Sequence, residues 1–283
     1  MKEDNRSPRL DVQMSWWGMS GLAAAGRRNV EEQVEMIAEA GFDGINGFIP
    51  APQDEEKWRR LLERYHLSFS VNAYPKTSEE MERFLIKAKE YGGIQHVNVQ
   101  VMTPFLIDEP AVQLLSSIDT LSRQIGVPAY IETHRGTITQ DLLRTIAYIK
   151  ALESLHLTID LSHYVVAGEL HTISEEAELL IQTVLTRSSA FHARVSNGEQ
   201  VQVDVGKDGE HPMMQHFERW WGDGMKNWRA KAAAGDVLPF VVELGPPSYA
   251  ITTDEYAGRT SEISDRWEQS LLFMRTARRL WLD

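Results

Sequence analysis

HVNVQVMTPFLIDEPAVQLLSSIDTLSRQIGVPAYIETH, residues 96–134, holds one complete strand–helix–strand unit. HVNVQVM (96–102) and PAYIETH (128–134) are short, β-rich runs, whereas the segment between them spaces its apolar residues by three and four. Pro110 suits a first helical turn, where its missing N–H would have no partner anyway. Leu114, Leu115, Ile118, Leu121 and Ile125 form one apolar stripe, and Gly126 followed by Pro128 stops it. The same rhythm extends both ways. Upstream lie LDVQM (10–14), GINGFI (44–49) and SFSVNAY (68–74); downstream lie LTIDLSH (157–163), AFHARVS (190–196) and PFVVELG (239–245). Asn29 with Glu32 and Thr77 with Glu80 have capping-box spacing and open helices. Val30, Val34, Ile37 and Ala40 stripe the first of these, and Gly41 closes it.

Eight strands alternating with helices imply parallel pairing with right-handed crossovers, and such units close into a sheet without free edges. The expected fold is α/β: a single (β/α)₈ TIM barrel over residues 10–283, preceded by a flexible lead-in over residues 1–9. An open doubly wound sheet is the alternative. It normally binds a nucleotide through a glycine-rich turn after the first strand, and here that turn reads SWWGMSGL (15–22) without the fingerprint, which favours the barrel. The longest connection is expected after strand 7, from Ser196 to Met213, where NGEQVQVDVGKDGEHP is full of turn formers and predicts an excursion over the active-site mouth.

Composition narrows the function. Of 283 residues, 42% are hydrophobic and 25% charged, and no stretch approaches the apolar run of a membrane span, so a soluble protein without a membrane partner is expected. The opening MKEDNRSPRL has no apolar core of a secretory signal, and a cytoplasmic location is expected. A formal net charge of −12, with Lys and Arg scattered along helices, disfavours nucleic acid as a partner. There is no cysteine, so any metal must be held by oxygen and imidazole nitrogen.

Four candidates meet that requirement. Glu132, Asp160, His192 and Glu243 lie in or near the ends of strands 5, 6, 7 and 8, and C-terminal strand ends face the active site of such a barrel. Three carboxylates aimed at one another are costly unless a cation joins them. One divalent ion, Mn²⁺, Mg²⁺, Co²⁺ or Zn²⁺, resolves the conflict. Arg194 lies on the same strand face as His192, His134 follows Glu132 by two residues, and Trp16 and Trp17 follow strand 1 near the same mouth.

IETHRG, TIDLSHYVVAGE, FHARV and VVELGPP resemble the metal-binding strand ends of the xylose isomerase-like TIM barrel superfamily, the sugar phosphate isomerases and epimerases. AEAGFDGI before strand 2 extends the resemblance over nearly the whole chain. It implies that Glu132, Asp160, His192 and Glu243 are metal ligands, that Glu132 and Glu243 are the catalytic pair, and that His163 contacts substrate. Arg194, His134, Trp16 and Trp17 complete the expected substrate site. The implied activity is a metal-dependent isomerase or epimerase, acting by enediolate proton transfer on a small polyhydroxy carbonyl compound such as a sugar or inositol-like substrate. A dimer or tetramer is common in the family. The alternatives are an inosose dehydratase-like lyase on the same metal site and a non-catalytic sugar-binding barrel. The endonuclease branch needs further histidine and acidic ligands and a basic groove, neither of which is read here. The chain departs from the family in carrying Asn46 where relatives often have an acid, and in placing Arg194 only two residues after His192.

Overall fold

The eight strands are β1 (Arg9–Ser15), β2 (Gly44–Gly47), β3 (Ser68–Ala73), β4 (Ile94–Val99), β5 (Ala129–Glu132), β6 (Leu157–Ile159), β7 (Ser188–Ala193) and β8 (Val237–Val242). In the computed structural model, which describes residues 7–283, they pair in parallel in chain order, and β8 returns to β1 to close the barrel. Among the described residues nine α-helices accompany them: α1 (Val30–Glu39), α2 (Glu55–Arg64), α3 (Ser78–Tyr91), α4 (Asp108–Ile125), α5 (Leu142–Ala151), α6 (Ser162–Ala167), α7 (Glu175–Leu185), α8 (Met214–Arg229) and α9 (Arg266–Leu282). Of the lead-in expected over residues 1–9, residues 1–6 lie outside the described ones, and Arg9 already pairs with Val237.

Local chemistry sets the boundaries. Asn29 and Glu32 exchange both bonds of a capping box at the start of α1. Thr77 accepts from the Glu80 N–H, but the Glu80 carboxylate accepts from the Lys76 N–H instead of completing the box. Gly126 ends α4 with φ 79°, a left-handed conformation that glycine adopts without a Cβ penalty. Strand 6 stops earlier than LTIDLSH suggests. The Asp160 carboxylate accepts from the Ser162 N–H at 3.0 Å and turns the chain into α6.

Period-two alternation sorts the sheet into two faces. The outer face is apolar: Phe240 of β8 meets Trp221 of α8, which also meets Phe273 of α9, each pair at 5.4 Å between ring centroids. The lumen is polar. Gln13 of β1 bonds Ser70 of β3 and Gln95 of β4, strands that β1 does not pair with, so these side chains cross the interior.

The connection after β7 covers residues 194–213, and that after β8, residues 243–265, is longer. The Gln202 amide clamps the two together by donating to the Gly245 carbonyl at 3.0 Å and accepting from its N–H at 2.7 Å. A Thr252–Glu262 bridge folds the second connection on itself. Among the described residues no helix is long and apolar enough to cross a membrane.

Candidate functional site

Glu132 ends β5, Asp160 follows β6, His192 lies within β7, and Glu243 follows β8; all four are buried at the C-terminal end of the lumen. The structure brings three of them together: ligand atoms of Glu132, His192 and Glu243 all lie within 4.8 Å of one another. Nδ1 of His192 is 3.2 Å from Glu243 Oε2 and 3.6 Å from Glu132 Oε1. Neither contact has hydrogen-bond geometry: both His192 nitrogens and Glu132 Oε1 are buried without a partner. Orphaned donors and acceptors aimed at one point are costly unless something joins them, and two carboxylates with an imidazole form a donor set that suits a divalent cation.

Asp160 does not join them. Its Oδ1 accepts from the Ser162 N–H at 3.0 Å and hydroxyl at 2.5 Å, and its Oδ2 from Arg194 Nη1 at 2.9 Å. Arg194 spans to Glu243, donating from Nη2 to Oε2 at 2.6 Å and from Nε to the main-chain carbonyl at 3.0 Å.

His163 is buried, with Nε2 3.1 Å from Arg194 Nη1. A guanidinium only donates, so Nε2 accepts and Nδ1 carries the proton, and that Nδ1 has no partner. The His134 ring lies 3.7 Å from the His163 ring, and Glu132, His134 and His163 form a second group of converging potential ligands, which the strand pattern did not predict. The two tryptophans part. Trp16 packs edge-on against Trp58 of α2 at 4.8 Å, whereas Trp17 faces Tyr249 at 5.1 Å and lies 6.0 Å from Arg194 Cζ.

Charge dictates protonation. Burial opposes ionisation of Glu132 and Glu243, yet His192 beside them, with Arg194 beside Glu243, holds both below the usual carboxylate range. Burial likewise opposes the imidazolium of His192, but Glu243 and Glu132 raise its pKa. Burial, together with Glu243 and Glu132, pushes Asp160 up to about 6 against the pull of Arg194, which still leaves it ionised at neutral pH. Burial, His134 and Arg194 lower His163, which is neutral.

Several site residues were not anticipated. Oε2 of Glu132 accepts from Asn98 Nδ2 at 2.5 Å and Gln100 Nε2 at 2.9 Å, which fixes the carboxylate and leaves Oε1 free. Behind Asn98 runs a relay: its amide donates to Asn72 at 3.1 Å, Asn72 to Asn46 at 2.9 Å, Asn46 to Ser70 at 2.9 Å and Ser70 to Gln13 at 2.5 Å. The signal was present, since Asn98 lies in β4 and Gln100 follows it by two residues, just past the strand end. Tyr249 had no such signal. Its ring lies 4.8 Å from Arg194 Cζ and its hydroxyl 3.5 Å from His134 Nε2, and it borders a 540 Å³ cavity also lined by Arg135, Gln200 and Val201.

No protein-family model matches the chain, and no curated protein matches it. Solved structures do. A xylose isomerase-like TIM barrel protein from Mycobacterium smegmatis in complex with magnesium superposes with a TM-score of 0.60 at 14% identity, covering 99% of this chain and 100% of that one. The probable 3-DHS dehydratase involved in petrobactin synthesis from Bacillus anthracis gives 0.60 at 13% identity, covering 94% and 98%. D-allulose 3-epimerase from Methylomonas sp. in complex with D-allulose gives 0.59 at 12% identity, covering 98% and 99%. The fold is that of the xylose isomerase-like TIM barrels.

Proposed function

We propose that this chain is a divalent-metal-dependent isomerase or epimerase that moves a proton on a carbon next to a carbonyl in a small polyhydroxy compound. The observation that carries this reading is the buried convergence of Glu132, His192 and Glu243, with Glu132 Oε1 and both His192 nitrogens unpartnered. The kinship of fold with a magnesium complex and with a sugar epimerase supports it.

The metal, when bound, supplies Lewis-acid stabilisation of the negative charge that develops on the substrate oxygen. Glu132, fixed through Oε2 by Asn98 and Gln100, takes the proton at Oε1. Isomerisation would return that same proton from Glu132 to the neighbouring carbon; in epimerisation Glu243, which reaches the site from a strand three positions round the barrel, would take up a proton from water and deliver it to the opposite face while Glu132 releases its own to water. The free Nδ1–H of His163 donates to a substrate hydroxyl, and Trp17 and Tyr249 wall the mouth against water. Acidic surface and polar lumen suit a cytoplasmic enzyme acting on a free sugar or inositol-like compound.

The test is incubation of the metal-loaded protein with a panel of ketoses in heavy water. Deuterium is expected at the carbon next to the carbonyl; a full panel without exchange rejects the reading. Exchange accompanied by an ultraviolet-absorbing unsaturated product would instead assign lyase chemistry to the same residues.

A further inference from the structure

Arg194 is buried and each of its three side-chain nitrogens is engaged. Nη1 donates to Asp160 and lies 3.1 Å from His163 and 3.4 Å from the Ser162 hydroxyl, while Nη2 and Nε both serve Glu243. We propose that Arg194 is a built-in cation that withdraws Asp160 from the ligand set, so that the divalent ion is held by Glu132, His192 and Glu243 alone. The proposal rests on the metal reading above and specifies which residues carry it out.

Three observations argue for it. Both Asp160 oxygens are engaged, so ligation by Asp160 would break a charge-assisted bond to a guanidinium. That guanidinium cannot give up its proton, and displacing it would leave a buried charge without its partners. Nor is it free to swing away, because the Tyr249 ring lies 4.8 Å from its Cζ, Trp17 6.0 Å, and its Nε is pinned to main chain. The charges also balance: three carboxylates against one guanidinium leave two negative charges, the complement of one divalent ion beside a neutral imidazole. A three-ligand centre keeps more positions open for substrate oxygens than a four-ligand one. Glu243, shared between ion and guanidinium, is the weakened ligand of the three.

The test is calorimetric titration of Mn²⁺ into metal-free protein, with circular dichroism to verify folding. Glu132→Gln is expected to weaken binding by about tenfold or more, as loss of a ligand should. Asp160→Asn is expected to change it by less than about threefold, and Arg194→Met to tighten it by about tenfold, by returning the full charge of Glu243 and Asp160 to the ion. Because Asp160→Asn strands a buried guanidinium, the double variant Asp160→Asn with Arg194→Met, which removes both charges, carries the same comparison if the single one does not fold. It should bind Mn²⁺ within about threefold of the wild type or more tightly. Weakening by Asp160→Asn as great as that by Glu132→Gln, or unchanged affinity in Arg194→Met, overturns the proposal and makes Asp160 a ligand. Absence of Mn²⁺ binding in the wild type and every variant rejects the metal reading itself.

Discussion

The lumen has two unlike halves. From β1 to β4 it carries a relay of neutral groups in which Asn98 donates to Asn72, Asn72 to Asn46, Asn46 to Ser70 and Ser70 to Gln13, whose own amide donates to the carboxylate on that side, Asp11. From β5 to β8 it is lined by Glu132, Asp160, His192, Arg194 and Glu243, whose charges meet at contacts of 2.6–3.6 Å. The relay is satisfied at all but Asn98 Oδ1, and beside it, among the described residues, only the neutral His96 ring of β4 and the Ser15 hydroxyl of β1 lack partners. The ionic half keeps buried unpartnered atoms at Glu132, His163 and His192. A neutral network can satisfy itself with amides alone, whereas a cluster of carboxylates with unpartnered donors has capacity left that a cation could take up. The two halves meet at Glu132, where Asn98 turns a relay of amides into the aim of a carboxylate.

The largest effect is expected at that junction. Glu132→Gln should lower proton exchange by about 10²–10⁴-fold, as loss of a general base does, read as deuterium incorporation from heavy water. Retained exchange would move the base to Glu243. Next comes stability. Arg194→Ala leaves Asp160 and Glu243 buried and unpaired, and should cost about 3–5 kcal/mol in urea unfolding. Part of that loss should return in excess Mn²⁺, which binds the folded state only. Asn98→Ala should weaken metal binding by about 10–100-fold, the usual cost of losing a partner that orients a ligand. Asn72→Ala, one step further along the relay, should do less in the same calorimetric titration. Equal effects would mean that the neutral half acts as one unit. The smallest signal is a proton count. The raised pKa of His192 keeps its imidazole protonated at neutral pH until an ion displaces that proton, so binding should release about one proton and weaken as the pH falls. Titration in buffers of different ionisation enthalpy measures this.

The ionic half was legible in the sequence because a charged side chain at the inner end of an apolar strand is too costly to keep without a counter-charge or an ion. Glu132, His192 and Glu243 converge as their strand positions suggested, and the closed barrel follows from the rhythm that residues 96–134 display. What the sequence hid was the partner of each charge. Arg194 shares the inward face with His192, and only coordinates reveal that its reach ends on Asp160 and Glu243 rather than at the mouth. The neutral half was hidden for another reason: Asn46, Asn72 and Asn98 stand singly in three separate short strands, where an isolated asparagine reads as a local exception. Connection length was misjudged too, because the turn formers at 197–212 drew attention from GPPSYAITTDEYAGRTSEISD, which follows β8 and forms the longer excursion.

The clamp between Gln202 and Gly245 has a consequence for traffic. The two long excursions it joins stand as a wall on the ionic side, whereas β2, β3 and β4 are followed by short connections, residues 48–54, 74–77 and 100–107. A molecule entering on that side would pass Phe48, Tyr74 and Met102, all exposed at those short connections, and meet the relay before the carboxylates. Widening the rim residue in Met102→Trp should slow ligand association in stopped-flow mixing more than Val201→Trp in the wall. The opposite ranking would place the doorway on the other side.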